Sequence, residues 1–200
     1  MSFYLGLYII RDRKERSICL NQSIYILNLI ELFDLKPYNK FPSTPMCYYA
    51  SDIKLPPAVN LDAEGIRDYQ MRIGCLLWLA IMTRFDILYA VTMASRKSKS
   101  PSTRDLAAVN RILLYIAGTK DKGLKFQSNE GDILYATVDA SYACHDDMKS
   151  HTGCTLHIGR NSGACQAMSK KQTITADSST VAEFVATHIV TKEIKWARGF

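Results

Sequence analysis

The chain changes texture once along its length. Before Gly123 the apolar positions recur mostly at helical spacing, and after it they fall in short blocks set off by Gly, Ser and Thr. Residues 4–10 are rich in aromatic and β-branched side chains, residues 11–16 are charged, and residues 17–20 are apolar again, a pattern that predicts two strands around a charged turn. An amphipathic helix follows, with Ile24, Leu27, Ile30 and Leu35 among its apolar positions and Ser23 placed to cap it. Pro37, Pro42 and Pro45 then interrupt regular structure, and residues 42–60 keep no sustained period, as a linker would. A second helix is predicted from Asp62 or Asp68 to Met82, a third over residues 87–95, and a fourth after the basic loop 96–101. Thr103 is the expected cap of that fourth helix; Leu106, Val109, Ile112, Leu113 and Ile116 form its stripe, and Gly118 its stop.

Beyond Gly123, residues 124–126, 133–138, 154–158 and 164–169 read as strands, the last three as an antiparallel meander turning at residues 159–163. A final helix is expected from Thr180 to Arg198, and no internal repeat is present. Helices first and strands later make an α+β chain.

Two hundred residues suffice for one large domain or two small ones, and a composition 48% hydrophobic and 22% charged is that of a globular chain. The six cysteines form no C-x-x-C pair and the four histidines no H-x-x-x-H pattern, so neither a disulfide framework nor a zinc site is expected. The longest apolar run, residues 73–82, is half the ~20 residues that a membrane span needs. The N-terminus lacks the basic start of a signal peptide, and the expectation is an intracellular, soluble protein. Net charge is +6 but uneven: eleven basic side chains face six acidic ones in residues 61–125, against seven and eight in residues 126–200. A basic middle beside a mildly acidic C-terminal part suits a polyanion-binding surface next to a cation site, although a solvated basic face has the same composition.

Two carboxylates stand out. Asp139 closes a predicted strand and is followed by the small residues Ala140 and Ser141, which leave room for a phosphate backbone; Glu183 lies in the first turn of a predicted helix. Such elements packed on one sheet bring two hard oxygen donors together, the donor type that magnesium requires. Cutting an RNA phosphodiester calls for two cations ~4 Å apart, one activating water and one stabilising the leaving oxygen. Each residue also has a plainer reading. Thr180-Val181-Ala182-Glu183 is a good capping box, and Asp at a strand end is usually a turn residue. Lys170 and Lys171 in one polar run, and Arg96, Lys97 and Lys99 in the basic loop, are candidate phosphate contacts. Trp78 and Trp196 sit on apolar helical faces and read as core.

The residues in combination resemble the Pol polyprotein of copia-type LTR retrotransposons along almost the whole chain. Tyr4-Leu5-Gly6-Leu7, Ile10-Arg11-Asp12-Arg13 and Pro42-Ser43-Thr44-Pro45-Met46 are similar to the end of its reverse transcriptase. Leu77-Trp78-Leu79, Thr83-Arg84-Phe85-Asp86 and Tyr89-Ala90-Val91 are similar to its connection region. Asp139-Ala140, Lys149-Ser150, Ser169-Lys170-Lys171-Gln172 and residues 178–184 are similar to the start of its ribonuclease H.

The resemblance implies a primer-grip hairpin and thumb remnant in residues 1–46, a linker in 47–68, a helical connection region in 69–122, and in 123–200 the N-terminal half of a ribonuclease H-like mixed sheet with one packed helix. Asp139 and Glu183 would be its first two metal ligands and catalytic residues, with Mg²⁺ as cofactor, an RNA–DNA hybrid or template–primer as partner, and no membrane association. A cytoplasmic virus-like particle or the nucleus would be its location. Counterparts of the family's Tyr-x-Asp-Asp strand and later aspartates are missing, so the expectation is a catalytically incomplete fragment, with a non-catalytic nucleic-acid-binding module and a decayed fragment as alternatives. Departures from the family pattern are Phe85 for Pro, Ser141 for Asp, Val181 for Glu and Asp105 for His.

Overall fold

The computed structural model describes residues 2–36, 40–47, 58–128 and 133–199. Residues 48–57 of the expected linker, and Pro37, lie outside the described residues. The protein is α+β, as the pattern predicts. Its order is β1 (Ser2–Tyr4), β2 (Leu7–Asp12), β3 (Ser17–Asn21), α1 (Ser23–Leu32), α2 (Ala63–Met82), α3 (Leu88–Ser95), α4 (Thr103–Gly118), β4 (Gly123–Gln127), β5 (Leu134–Ser141), β6 (His151–Ile158), β7 (Ala164–Lys171) and α5 (Ser179–Ala197). One sheet has the order β1-β2-β3-β4 and the other β5-β6-β7. The chain divides into two compact units, Met1–Ile10 with Cys19–Leu124, and Arg11–Ile18 with Lys125–Phe200.

In the first unit the strand expected over residues 4–10 is broken. Tyr4 pairs with Leu7, and Leu5 (φ 48°) and Gly6 (φ 79°) between them both take positive φ, the two-residue type I′ turn that matches the right-handed twist of paired strands. The stripe of α1 is also turned. Ile26 and Leu29 are buried while Ile24 and Leu27 face solvent, and Gln22 rather than Ser23 stands at the N-cap. Asp62 caps α2 by accepting from the Gly65 N–H at 2.8 Å, and Tyr69, Ile73, Leu76, Leu79 and Ala80 of that helix are buried. Trp78 is not core: it is 36% exposed.

The cap of α4 is Ser102, one residue before the expected Thr103. Its side chain and Asp105 complete a capping box, each serving the other's backbone N–H, so the Asp that departs from the family's His closes the helix start. Gly118 is the last residue of α4 and does not act as a left-handed stop. A Cβ there would lie 2.5 Å from the Cβ of Phe41, so the glycine admits the 40–47 segment against the helix end. Val109, Ile112, Leu113 and Ile116 are buried as predicted, each worth roughly 1.5–3 kcal/mol of transfer free energy.

Below this stripe lies the Thr83-Arg84-Phe85-Asp86 segment, where a short 3₁₀ turn over Phe85–Ile87 leads into α3. Arg84 is 1% exposed. Its Nε and Nη2 donate to the two oxygens of Asp86, each at 2.9 Å, while Nη1 and Nη2 donate to the backbone carbonyl and the hydroxyl of Thr119 at 3.0 and 2.6 Å. The Tyr115 hydroxyl donates to Asp86 at 2.8 Å. Burial acts to raise the Asp86 pKa, but the hydrogen bonds and charge of Arg84, with Tyr115 and Lys122, outweigh it and hold the carboxyl below its ordinary value.

In the second unit β5, β6 and β7 form an antiparallel meander, longer at the β5–β6 turn and at the end of β7 than the pattern suggested, with the turn at 159–163 where it was expected. Side chains alternate between its two faces. Val138, Cys154, Leu156 and Met168 turn toward α5 and meet Val190, Ile194 and Ala197. Ala182, Ala186 and Val190 on α5 are buried at four-residue spacing, their small side chains allowing close approach of helix and sheet. Trp196, expected in the core, is 61% exposed. All six cysteines are free thiols, and burial followed by the Glu193 charge pushes the Cys154 thiol up.

Candidate metal centre

Asp139 lies within β5, two residues short of its end, paired with Gly153 of β6, which pairs in turn with Ser169 of β7. It is therefore a ladder residue and not a turn residue. Its side chain is exposed, and no hydrogen bond or ion pair engages its carboxylate among the described residues. Gly153 beside it carries no side chain, and a Cβ there would meet open space, so the surface next to the carboxylate stays low.

Glu183 is not the partner in a capping box. Ser178 is the N-cap of α5 and accepts from the Val181 N–H at 3.3 Å, which puts Val181 where a Glu would close the box and Glu183 half a turn further on. The Glu183 carboxylate reaches β5 instead: its Oε1 accepts from the Ala140 N–H at 3.2 Å. The Glu183 carboxylate thus reaches the backbone of the residue after Asp139, while Asp139, paired with Gly153, stands in the row next to the one that packs on α5 and turns to the opposite face of the sheet.

A residue quoted only as part of a motif sets this geometry. Gln172 is 1% exposed, and its Nε2 donates to Thr152 Oγ1 at 3.1 Å and to the Ala182 carbonyl at 2.9 Å. Its backbone N–H donates to the Ser150 carbonyl at 2.8 Å. Gln172 therefore ties the first turn of α5, one residue before Glu183, to the strand beside β5. A glutamine after two lysines carries no periodic signal, so sequence reasoning had no means to assign it this role.

A second arrangement missed from the sequence is a chain of polar groups on the sheet face away from α5. His145 Nε2 and His151 Nδ1 are 3.0 Å apart, His151 Nε2 and Ser169 Oγ are 2.8 Å apart, and both rings are buried. Lys171 donates to Asp147 across the same loop and holds that carboxyl below its ordinary value. Lys171 thus spends its charge within the fold, whereas Lys170 beside it is exposed. Arg96, Lys97 and Lys99 follow one another through the turn after α3, all exposed. Among the described residues no group of three or more His, Cys, Asp or Glu gathers as a metal site would, and no helix is long and apolar enough to cross a membrane.

Fold and site define an α+β protein in which a helix carboxylate, Glu183, reaches the backbone of the edge strand that carries Asp139 in an antiparallel meander. No family model matches the chain, and no solved structure matches it. Among curated proteins it is 33% identical to the retrovirus-related Pol polyprotein from transposon TNT 1-94 of Nicotiana tabacum, over 98% of this chain and 15% of that protein. It is 32% identical to the corresponding polyprotein from transposon RE1 of Arabidopsis thaliana, over 98% of this chain and 13% of that one. An uncharacterized mitochondrial protein of Arabidopsis thaliana is 29% identical over 98% of this chain and 78% of its own length. The chain belongs to the retrovirus-related Pol polyproteins of transposons, and it spans 13–15% of the length of those two relatives.

Proposed function

We propose that the chain supplies part of the ribonuclease H centre of a copia-type Pol polyprotein, related also to its RNA-directed DNA polymerase, with Asp139 and Glu183 as protein ligands to magnesium. The observation that carries this reading is the 3.2 Å hydrogen bond from the Ala140 N–H to Glu183 Oε1, which sets the helix carboxylate beside the Asp139 backbone. Both groups are hard oxygen donors, one or two of which, completed by water and phosphate, suffice for a magnesium ion. A bound ion would supply Lewis-acid stabilisation and a more acidic water.

The chain's own residues position and attract. Ala140 orients Glu183, Gln172 holds the helix turn that carries it, and Gly153 keeps the neighbouring surface open. Lys170, Arg96, Lys97 and Lys99 are the proposed contacts to the sugar–phosphate backbone of an RNA–DNA hybrid or template–primer, and Lys171 would join them only by leaving Asp147. Two carboxylates fall short of a two-metal centre, and no larger ligand group gathers among the described residues. In this reading the chain by itself binds a hybrid without cutting it. The alternative of a purely nucleic-acid-binding module is favoured by Lys97 and Lys99, whose exposed ammonium groups have no partner among the described residues.

The test combines magnesium titration followed at the Ala140 amide resonance with assays of a labelled hybrid. Magnesium is expected to shift that resonance in the wild-type chain and not in Asp139→Asn or Glu183→Gln, while the hybrid binds with steep salt dependence and stays intact. An equal magnesium shift in both variants removes the ligand assignment and leaves the binding module. Magnesium- and Asp139-dependent cutting by the chain alone overturns its incompleteness.

A further inference from the structure

The first unit contains a cavity of about 770 Å³ between α3, α4 and the 42–47 segment, remote in sequence from the carboxylate pair. Its volume is in the range of small-molecule sites, ~300–1,000 Å³. Most of its wall is apolar, with Pro45, Met46, Met93, Ala94, Ala108 and Leu114 among the lining side chains.

The charged groups on that wall are unbalanced. Lys97, Arg104 and Arg111 line the cavity together with a single carboxylate, Asp105. Asp105 is committed elsewhere, since it accepts from the Ser102 N–H at 2.8 Å and from the Ser102 hydroxyl at 2.6 Å. Arg111 is poorly satisfied: its Nη2 makes a long 3.3 Å hydrogen bond to Thr44 Oγ1, and its Nε is buried with no partner among the described residues. A guanidinium so placed beside apolar surface lacks an acceptor that protein groups elsewhere in this fold supply, as Asp86 does for Arg84.

We propose that this cavity is a binding site for a small amphiphilic anion, a molecule with an apolar body that fills the space and one carboxylate or sulfonate that meets Arg111 and Lys97. A free nucleotide fits less well. The hydrogen-bonding groups that would read a base are already used, Asn110 accepting from Arg72 at 3.0 Å and the Tyr69 hydroxyl donating to the Ala94 carbonyl at 2.8 Å.

The proposal is tested on the full chain with 8-anilinonaphthalene-1-sulfonate as fluorescent probe, and decanoate and thymidine monophosphate as competitors. One dye per chain is expected, displaced by decanoate and not by the nucleotide. Ala108→Trp, which fills the mouth from an exposed position on α4, should abolish binding. Arg111→Met, which keeps the bulk and removes the charge, should weaken it by about tenfold or more. Thermal melting of both variants must stay near wild type; if one melts early, the other with the competitors decides. Dye bound equally by both folded variants, or displaced by the nucleotide and not by decanoate, overturns the proposal.

Discussion

Arg84 with Asp86 in the first unit, and Asp139 with Glu183 in the second, both come from strings that resemble the Pol family, and both are charge clusters. They differ in what is left over. Around Arg84 every guanidinium nitrogen has a partner, and Asp86 receives a further bond from Tyr115. At the second cluster Asp139 is exposed, and among the described residues the Glu183 carboxylate accepts from the Ala140 backbone N–H. A buried charge with its hydrogen bonds complete holds a fold together, because losing its partner leaves Arg84 charged and away from water. An exposed carboxylate such as Asp139 contributes little to stability and remains available to a cation.

The sharpest way to break this comparison is to substitute each cluster and measure urea unfolding. Arg84→Met should destabilise by about 2–4 kcal/mol, less than a fully buried pair would cost because Asp86 keeps some access to water while the Thr119 carbonyl and hydroxyl lose their partner. Asp139→Asn should stay within about 0.5 kcal/mol of wild type, as exposed substitutions do. Similar costs at the two sites would erase the distinction between structural and available charge.

A smaller effect is expected at Gln172, which is itself buried and holds the helix turn that leads into Glu183. Gln172→Leu should cost about 1–3 kcal/mol, since Thr152 and the Ala182 carbonyl lose their shared donor. It should also diminish the magnesium-dependent shift at Ala140. Lost stability with an unchanged shift would make Gln172 purely structural.

The smallest expected effect is a pH dependence. The Asp86 carboxyl titrates below its ordinary value in the folded chain, so its contribution is present above the unfolded pKa of ~3.9 and is lost as pH falls through the lower folded value. Tyr115→Phe, which removes one hydrogen bond to that carboxylate, should cost about 0.5–1.5 kcal/mol near neutrality. It should also narrow the acid window between the folded and unfolded values. An acid-unfolding profile unchanged by this substitution would show that Tyr115 does not tune Asp86.

Much of this molecule was readable in the chain. The α4 stripe, the meander and α5 follow from apolar periodicity, because burying one face is a local requirement that repeats along the sequence. Errors cluster where two neighbouring residues compete for one role. Ser102 and Thr103 are both good caps, and the choice of Ser102 was settled by Asp105 standing three residues later. The Leu5-Gly6 turn is hard to read in the chain because leucine seldom takes positive φ. The face of α1 was misread because its apolar residues surround the helix, so only the packing partner selects Ile26 and Leu29.

By itself the sequence determined the order of helices and strands, the family, and the two acidic residues worth watching, since each depends on residue types at fixed separations along the chain. Tertiary structure decided which alternatives those residues took. Whether Glu183 folds back on its own helix or reaches the Ala140 amide depends on where a strand more than forty positions earlier is placed. Whether Arg84 is a surface cation or a buried tie depends on Tyr115 and Thr119, some thirty residues away. Hydrogen-bond partners brought together by folding leave no periodic trace in the chain, so they become visible only once it is packed.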